Sequence, residues 1–556
     1  MNQPPTTSLP GTNPDQAAPT PLVIEDLSFR YRSRSAPAIT GISLAVQPGE
    51  LLLIAGASGC GKTTLARCIN GLIPHTYKGE IHGQIHLFGQ DTRDLPLARI
   101  SRFIGTVLQD PERQILGTRV ENEVAFGLEN LGLPRQEILS GVEAALDHLR
   151  IGHLRLRETF NLSGGEKQKV ALAGVLAMQP HILLLDEPLA SLDAASALET
   201  LALLRQLADE GMSILMVEHR VEDVLNIHPD RVLYMQDGRI HYLGPVAGLE
   251  KNVDYHEVKL PAPMIMRMAA GREEPEPPTP HGAAGEAGTP LVEFRDVRFG
   301  YESGQEVLQG ISLTIRRGDV IAVLGANGAG KTTLVKHAIG LLKPRSGDVL
   351  VQGRSTHEMS VAQVAGTLGY VFQSPSHMLF APSVREELVF GPTNLGHSPE
   401  QIEKEVQQAV EIVNLAGFED NPPLALSFGQ QKRVSIAAIL AMQSRILVMD
   451  EPTAGQDYKN YMNFMDSILQ MPGFEAILFI THDIDLAVIY ANRVLVIQQG
   501  SVVRDGPPAE VLQNFDLIRR SRLVPTSLLE TNLALFPQTG RFLRAEALAR
   551  VPFSPS

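Results

Sequence analysis

The chain has 556 residues and a net charge of −14, a length that implies several domains because one hydrophobic core seldom grows past about 250–300 residues. An apolar share of 44% with 20% charged residues excludes wholesale disorder, and the acidic balance argues against nucleic acid as the main partner, since neutralising phosphates takes an excess of Lys and Arg. Apolar runs such as Ile182–Leu185 fall far short of the roughly 20 residues that span a bilayer, so no transmembrane segment is expected.

Residues 1–20 are polar and Pro-rich, with neither a basic stretch nor an apolar one. They read as a tail rather than a secretory signal, which leaves the chain in the cytoplasm. LVIEDLSFRY, from Leu22, alternates like a half-buried strand, and the wholly apolar Leu51–Ala55 reads as a strand covered on both faces. That strand runs into Gly56, Ala57, Ser58, Gly59, Cys60, Gly61, Lys62, Thr63 and Thr64, a GxxxxGK[ST] loop opening a helical stretch. Its glycines let backbone N–H groups wrap a phosphate at a helix N-terminus, Lys62 adds a full charge near the β and γ phosphates, and the Thr63 hydroxyl suits Mg²⁺. The two cysteines, Cys60 and Cys68, lie in this loop and helix. Eight helical residues span about 12 Å, beyond disulfide reach, so both are expected as small buried thiols in a reducing compartment.

Further along, LSGGE places Ser163, Gly164, Gly165 and Glu166 before an Ala/Val-rich helix, a second helix-N-terminal anion site. ILLLDE then ends a buried strand in Asp186 and Glu187. An acidic pair there faces a ligand: the aspartate holds Mg²⁺ through water, and the glutamate polarises an attacking water. Residues 271–290 contain five Pro, four Gly and no Val, Ile, Leu or Phe, and read as an exposed tether.

Beyond the tether the pattern returns. The second loop is Gly325, Ala326, Asn327, Gly328, Ala329, Gly330, Lys331, Thr332 and Thr333, after the apolar strand Val320–Leu324. LSFGQ repeats the anion site as Ser427, Phe428, Gly429 and Gln430, and ILVMDE ends in Asp450 and Glu451. The separation of Ser163 from Ser427 equals that of Asp186 from Asp450, and Lys62 and Lys331 keep nearly the same offset. That period, close to half the chain, is too long for a solenoid and marks two fused copies of a whole domain. The expected division is a tail over 1–20, a first domain over 21–270, the tether 271–290, a second domain over 291–535 and a tail over 536–556.

With these motifs in this order, both halves resemble ATP-binding cassette (ABC) ATPase domains. The resemblance implies an α/β fold of two tandem P-loop NTPase domains, each a RecA-like core with an antiparallel β subdomain and a helical signature subdomain. It implies hydrolysis of ATP with Mg²⁺, two hydrolysis-competent sites, and head-to-tail pairing of the two halves, Lys62 facing Ser427 and Lys331 facing Ser163. By the same resemblance Tyr31 and Tyr301 stack on adenine, and Gln109 and Gln373 sense Mg²⁺ and the attacking water. Ser163 and Ser427, with the signature residues after them, touch the γ-phosphate held by the other half; Asp193 and Asp457 are the D-loop aspartates, and His219 and His482 the switch histidines. The implied metal set is Thr63, Gln109 and Asp186 in one half, and Thr332, Gln373 and Asp450 in the other. Phe428, Glu166 and Gln456 depart from the family pattern without removing a catalytic group; the bulk of Phe428 is expected to slow the site containing Lys62.

The segments from Val107 and Val371, after each Q-loop, and VEHRVEDVL from Val217 resemble the ATPases of energy-coupling factor (ECF) importers of vitamins and metal ions. That implies a transmembrane coupling protein whose short helices dock beside the Q-loops, a small membrane-embedded substrate-binding subunit, and a peripheral place on the cytoplasmic face of the membrane. Asp110, Glu112 and Glu121 are expected to pair with arginines of those helices. The competing readings are the fused ATPase of a binding-protein-dependent importer, a ribosome-associated tandem ABC protein and a scaffold that binds ATP without turnover.

Overall fold

The computed structural model describes residues 19–190, 192–272, 290–301, 304, 306–453 and 456–551. The expected tails and tether therefore lie outside the described residues over 1–18, 273–289 and 552–556. In the strand Leu22–Tyr31 the buried residues are Leu22 and Ile24, then Leu27 and Phe29. The change of parity comes from a bulge: Asp26 takes a left-handed φ of 47°, and the pairing with Ile39–Val46 shifts between Ile24 and Leu27. Asp296, also at φ 47°, does the same in Val292–Gly300.

Each copy contributes two sheets. The first copy has an antiparallel sheet ordered Ile39–Val46, Leu22–Tyr31, Gly79–Leu87, Gln90–Asp91. Its larger sheet is ordered Arg239–Gly244, Arg231–Gln236, Leu51–Ala55, Ser213–Val217, Ile182–Asp186, Ile104–Val107, and only the edge strand Arg239–Gly244 pairs antiparallel. Leu51–Ala55 is buried at every position, as its unbroken apolar run predicts for an inner strand. The second copy repeats both orders, with Val320–Leu324 in the place of Leu51–Ala55. Three helices precede the strand-end carboxylates in each copy and pack on one another: Val120–Asn130, Arg135–His148 and Gly164–Ala177, then Val384–Asn394, Pro399–Ile412 and Phe428–Ala441. The α/β reading with antiparallel and helical additions therefore holds for both copies. Among the described residues no helix is long and apolar enough to cross a membrane.

The structure differs from the expected boundaries in two places. The chain divides into compact units that part at Lys259 and Leu260, ahead of residue 270. The helix Ala262–Ala269 belongs to the second unit, where it packs on Ser527–Thr539 and Ala545–Leu548 and its first N–H, on Ala262, donates to Ser527 Oγ at 2.7 Å. Ala262, Ile265 and Ala269 form the buried face that draws it there. Residues 536–551 are likewise not a loose tail. Leu543 N–H donates to Asn532 Oδ1 at 2.7 Å, Leu548 is fully buried, and the Arg544 guanidinium is held by Asp466 and Tyr490.

Candidate active site

The two glycine-rich loops have the same geometry. Gly56 (φ 146°) and Gly325 (φ 152°) turn the chain out of the inner strand, and a Cβ on either would stand 2.3 Å from the carbonyl oxygen of Met235 or Ile497. Only glycine fits there. The loop crests, Ser58–Gly59 and Asn327–Gly328, are exposed, whereas Cys60 and Ala329 tuck inward. The helices Lys62–Ile69 and Lys331–Ala338 start at the lysines. Lys62 Nζ donates to Gly56 O at 2.7 Å and Ala57 O at 2.9 Å; Lys331 Nζ donates to Gly325 O and Ala326 O at the same distances. Both lysines are buried, and burial holds the Lys331 ammonium below its ordinary range. Cys60 and Cys68 are free and buried; burial pushes the Cys68 thiol up to about 12, which leaves it inert.

At the strand ends Glu187 and Glu451 sit in left-handed backbone, φ 51° and 46°, with their N–H groups bonded to Val217 O and Ile480 O at 2.9 Å. Such a conformation is unfavourable for glutamate and survives only where its surroundings fix it. The Glu187 carboxylate accepts from Gln109 Nε2 at 2.6 Å and lies 3.0 Å from His219 Nε2. Glu451 meets His482 Nδ1 at 3.0 Å. Gln373 has no counterpart to the Gln109 bond: among the described residues it makes no hydrogen bond to Glu451. The aspartates differ as well. Asp450 Oδ2 accepts from Thr332 Oγ1 at 3.0 Å and from the Tyr370 hydroxyl at 2.9 Å. Asp186 Oδ1 is buried with no hydrogen-bond partner, and burial, reinforced by the Glu187 charge, pushes its carboxyl up to about 6. A buried carboxylate oxygen without a partner is a hard donor that fits Mg²⁺, which typically takes one or two carboxylates and completes its shell with water and phosphate.

The signature serines cap their helices. Ser163 N–H donates to Glu166 Oε2 at 2.8 Å, and Ser427 N–H to Gln430 Oε1 at 2.9 Å, closing a capping box in each copy. Burial works to raise the Glu166 carboxyl, but the bonds from Ser163 and the charge of Arg157 hold it below its ordinary value. Gly164 and Gly165 form the first turn in one copy, while in the other Phe428 stands 40% exposed before Gly429. Asp457 caps the helix Tyr458–Gln470, and Asp193 is buried. Tyr31 ends its strand and Tyr301 directly follows Val292–Gly300, with hydroxyls 3.2 Å and 3.4 Å from Thr64 Oγ1 and Thr333 Oγ1, beside the phosphate loops.

Three residues around the sites escaped the sequence reading. Glu218, fully buried, accepts N–H bonds from Leu189, His219 and Arg220 and so fixes the segment carrying His219. An acid directly before the histidine was its only sequence signal. Arg67 donates to the Tyr31 hydroxyl at 3.3 Å and stacks 4.3 Å from the Tyr77 ring centroid. Lys432, 1% exposed, lies under the Phe428 and Phe464 rings and donates to Pro452 O, the carbonyl that Gln456 Nε2 also reaches at 3.0 Å. Gln168 holds the corresponding place in the first copy. Burial pushes Lys432 down to about 7, with the Glu451 charge acting against it. Between pH 7 and 10.5 the unfolded chain therefore binds a proton that the folded chain has released, and stability rises with pH through that window. Lys432→Gln, which keeps a donor and removes the charge, is expected to raise the melting temperature by about 4 °C at pH 7. The gap should close towards pH 10.5, and calorimetry showing a gap independent of pH would refute the burial argument.

The ABC transporter family pattern matches residues 39–190 and 308–454. An ABC transporter ATP-binding protein of Methanosarcina mazei is 36% identical over 549 residues, covering 92% of each chain. One of Lactiplantibacillus plantarum is 36% identical over 568 residues, covering 95% of this chain and 99% of its own. Among solved structures, cbiO1 of Clostridium perfringens, part of the ABC transporter complex cbiONQ, is 34% identical, covers 46% of this chain and 98% of its own, and superposes with a TM-score of 0.39.

Proposed function

The chain belongs to the ABC transporter ATP-binding family and is an ATPase using ATP with Mg²⁺, and from that premise we propose that it energises an ECF-type importer of a vitamin, vitamin precursor or transition-metal ion. The observation that carries this reading is a pair of matched apolar surfaces just beyond the two Q-loop glutamines. Leu116 is 68% and Phe126 43% exposed; at the matching positions of the second copy Phe380 is 63% and Phe390 53% exposed, their rings packed edge-on at 4.8 Å. A buried glutamate supports each surface. Glu123 Oε2 accepts the N–H groups of Leu116 and Gly117, and Glu387 Oε2 those of Phe380 and Ala381, all within 2.9 Å. Large side chains held rigidly in solvent at duplicated positions suit short amphipathic helices of one transmembrane coupling protein, which in this reading also carries the small substrate-binding subunit and brings the chain to the membrane.

The acidic residues expected to meet arginines of that partner are already engaged. Glu112 pairs with Lys167, Asp110 with Arg113 at 3.3 Å and Glu121 with Arg155 at 3.3 Å. The docking reading therefore rests on apolar contact rather than on those charges.

Within each cassette the loop N–H groups and Lys62 or Lys331 cradle the triphosphate, and Tyr31 or Tyr301 takes the base. Thr63 and Asp186, or Thr332 and Asp450, would hold Mg²⁺, which would supply positive charge against the phosphates. Glu187 and Glu451 orient and deprotonate the attacking water, with His219 and His482 fixing each carboxylate and Gln109 sharing that of Glu187. Head-to-tail completion of each site by the other half's signature, Ser163 or Ser427, is carried by the family resemblance alone. Nucleotide favouring the closed pair would drive the docked helices as a population shift.

Leu116→Asp with Phe380→Asp is expected to lower the membrane-bound fraction of the chain in its own host by about tenfold, the cost of burying two carboxylates at a contact, and to leave ATP turnover of the purified chain unchanged. A cysteine crosslinker at residues 116 and 380, with mass spectrometry, identifies the partner. A polytopic coupling protein with a small hydrophobic subunit supports the reading. A permease served by an extracytoplasmic binding protein, or ribosomal proteins, would replace it.

A further inference from the structure

The two metal-bearing carboxylates are held differently, and the difference traces to one residue. Tyr370 is the third residue of the edge strand Leu368–Val371, which pairs parallel with Ile446–Asp450. Its hydroxyl reaches along the sheet to Asp450 Oδ2 at 2.9 Å. Thr332 Oγ1 donates to the same oxygen at 3.0 Å, so both bonds fall on Oδ2 and Oδ1 takes neither. In the first cassette the same register position holds Thr106, whose side chain is too short to reach Asp186 and instead stands 3.5 Å from Asn70 Nδ2. There Asp186 Oδ1 is buried with no partner.

We propose that Tyr370 is a positioning residue for Asp450, and that it makes the second cassette take up Mg²⁺ with nucleotide at lower metal concentration than the first. The inference rests on the reading that Asp186 and Asp450 face the metal. A metal-binding carboxylate without an outer hydrogen bond must be oriented as the ion arrives, whereas one already fixed presents its free oxygen at once. When Thr332 turns its oxygen to the metal, Tyr370 remains the donor that keeps Asp450 in place. The ring packs edge-on against Phe372 at 4.8 Å, an anchor that phenylalanine at 370 would retain.

The test is a Mg²⁺ titration of the fluorescence of a non-hydrolysable methylanthraniloyl ATP analogue, which reads binding rather than turnover. Lys62→Ala leaves the second cassette to report, and Lys331→Ala the first. The second cassette is expected to half-saturate at lower Mg²⁺ than the first. In the Lys62→Ala chain, Tyr370→Phe is expected to raise that midpoint about tenfold, the lower end of what losing an outer-shell partner does, without changing binding in excess chelator. Asp450→Asn is the companion variant. If it shifts the midpoint and Tyr370→Phe does not, Tyr370 has no positioning role; if Asp450→Asn itself leaves the midpoint unmoved, the metal assignment fails with everything built on it.

Discussion

Glutamine in place of both Glu187 and Glu451 is expected to lower ATP turnover by about 10³-fold, within the range a positioned general base supplies, while nucleotide binding is retained. The amide matches the carboxylate in size and can still meet Gln109 at one end and a histidine at the other, contacts that stand at 2.6 and 3.0 Å around Glu187. It cannot take the proton of an attacking water. The phosphate loops lie on separate turns and are untouched, so affinity measured with a fluorescent nucleotide should change less than about twofold. Turnover persisting above about a tenth of wild type would mean that proton transfer is not what these carboxylates contribute.

Removing the loop lysines acts earlier, on binding. In this structure each ammonium folds back on two loop carbonyls, at 2.7 and 2.9 Å. A phosphate offers charged acceptors in their place, and charge-assisted bonds are worth about 1.5–3 kcal/mol each. Lys62→Ala and Lys331→Ala should each weaken nucleotide binding at their own cassette by about 10²-fold, the upper part of that range. Burial already holds Lys331 below its ordinary range, so its charge is held at a cost that a bound phosphate offsets. Calorimetric titration of each single variant checks this. An affinity within about twofold of wild type would place the phosphates elsewhere.

What the sequence made legible is what short stretches of chain determine on their own. The unbroken apolar Leu51–Ala55 and Val320–Leu324 are inner strands, and the glycines after them turn as a phosphate loop must. The duplication fixed which motifs correspond. What escaped depends on contacts between distant segments. Ala262–Ala269 reads as the end of the first domain until its apolar face is seen against helices close to the C-terminal end of the chain. The stretch 536–551 looks like a tail because its anchors, Asp466 and Tyr490, lie far back in the chain. The Asp26 bulge hides the parity of a strand that otherwise alternates. Lys432 and Tyr370 are ordinary residues in a string; burial under Phe428, or the reach to Asp450, gives them their character. Three acidic residues assigned to a partner are satisfied by neighbours such as Lys167 and Arg155, which no local pattern revealed.

One polypeptide with two working nucleotide sites must hold two nucleotides at once, and counting them tests this directly. The chain with glutamine at both 187 and 451, incubated with Mg²⁺ and ATP and analysed by equilibrium dialysis, is predicted to hold two nucleotides per chain, and one when Lys62 or Lys331 is also removed. A stoichiometry of one with both lysines present, unchanged by loss of either, would contradict it.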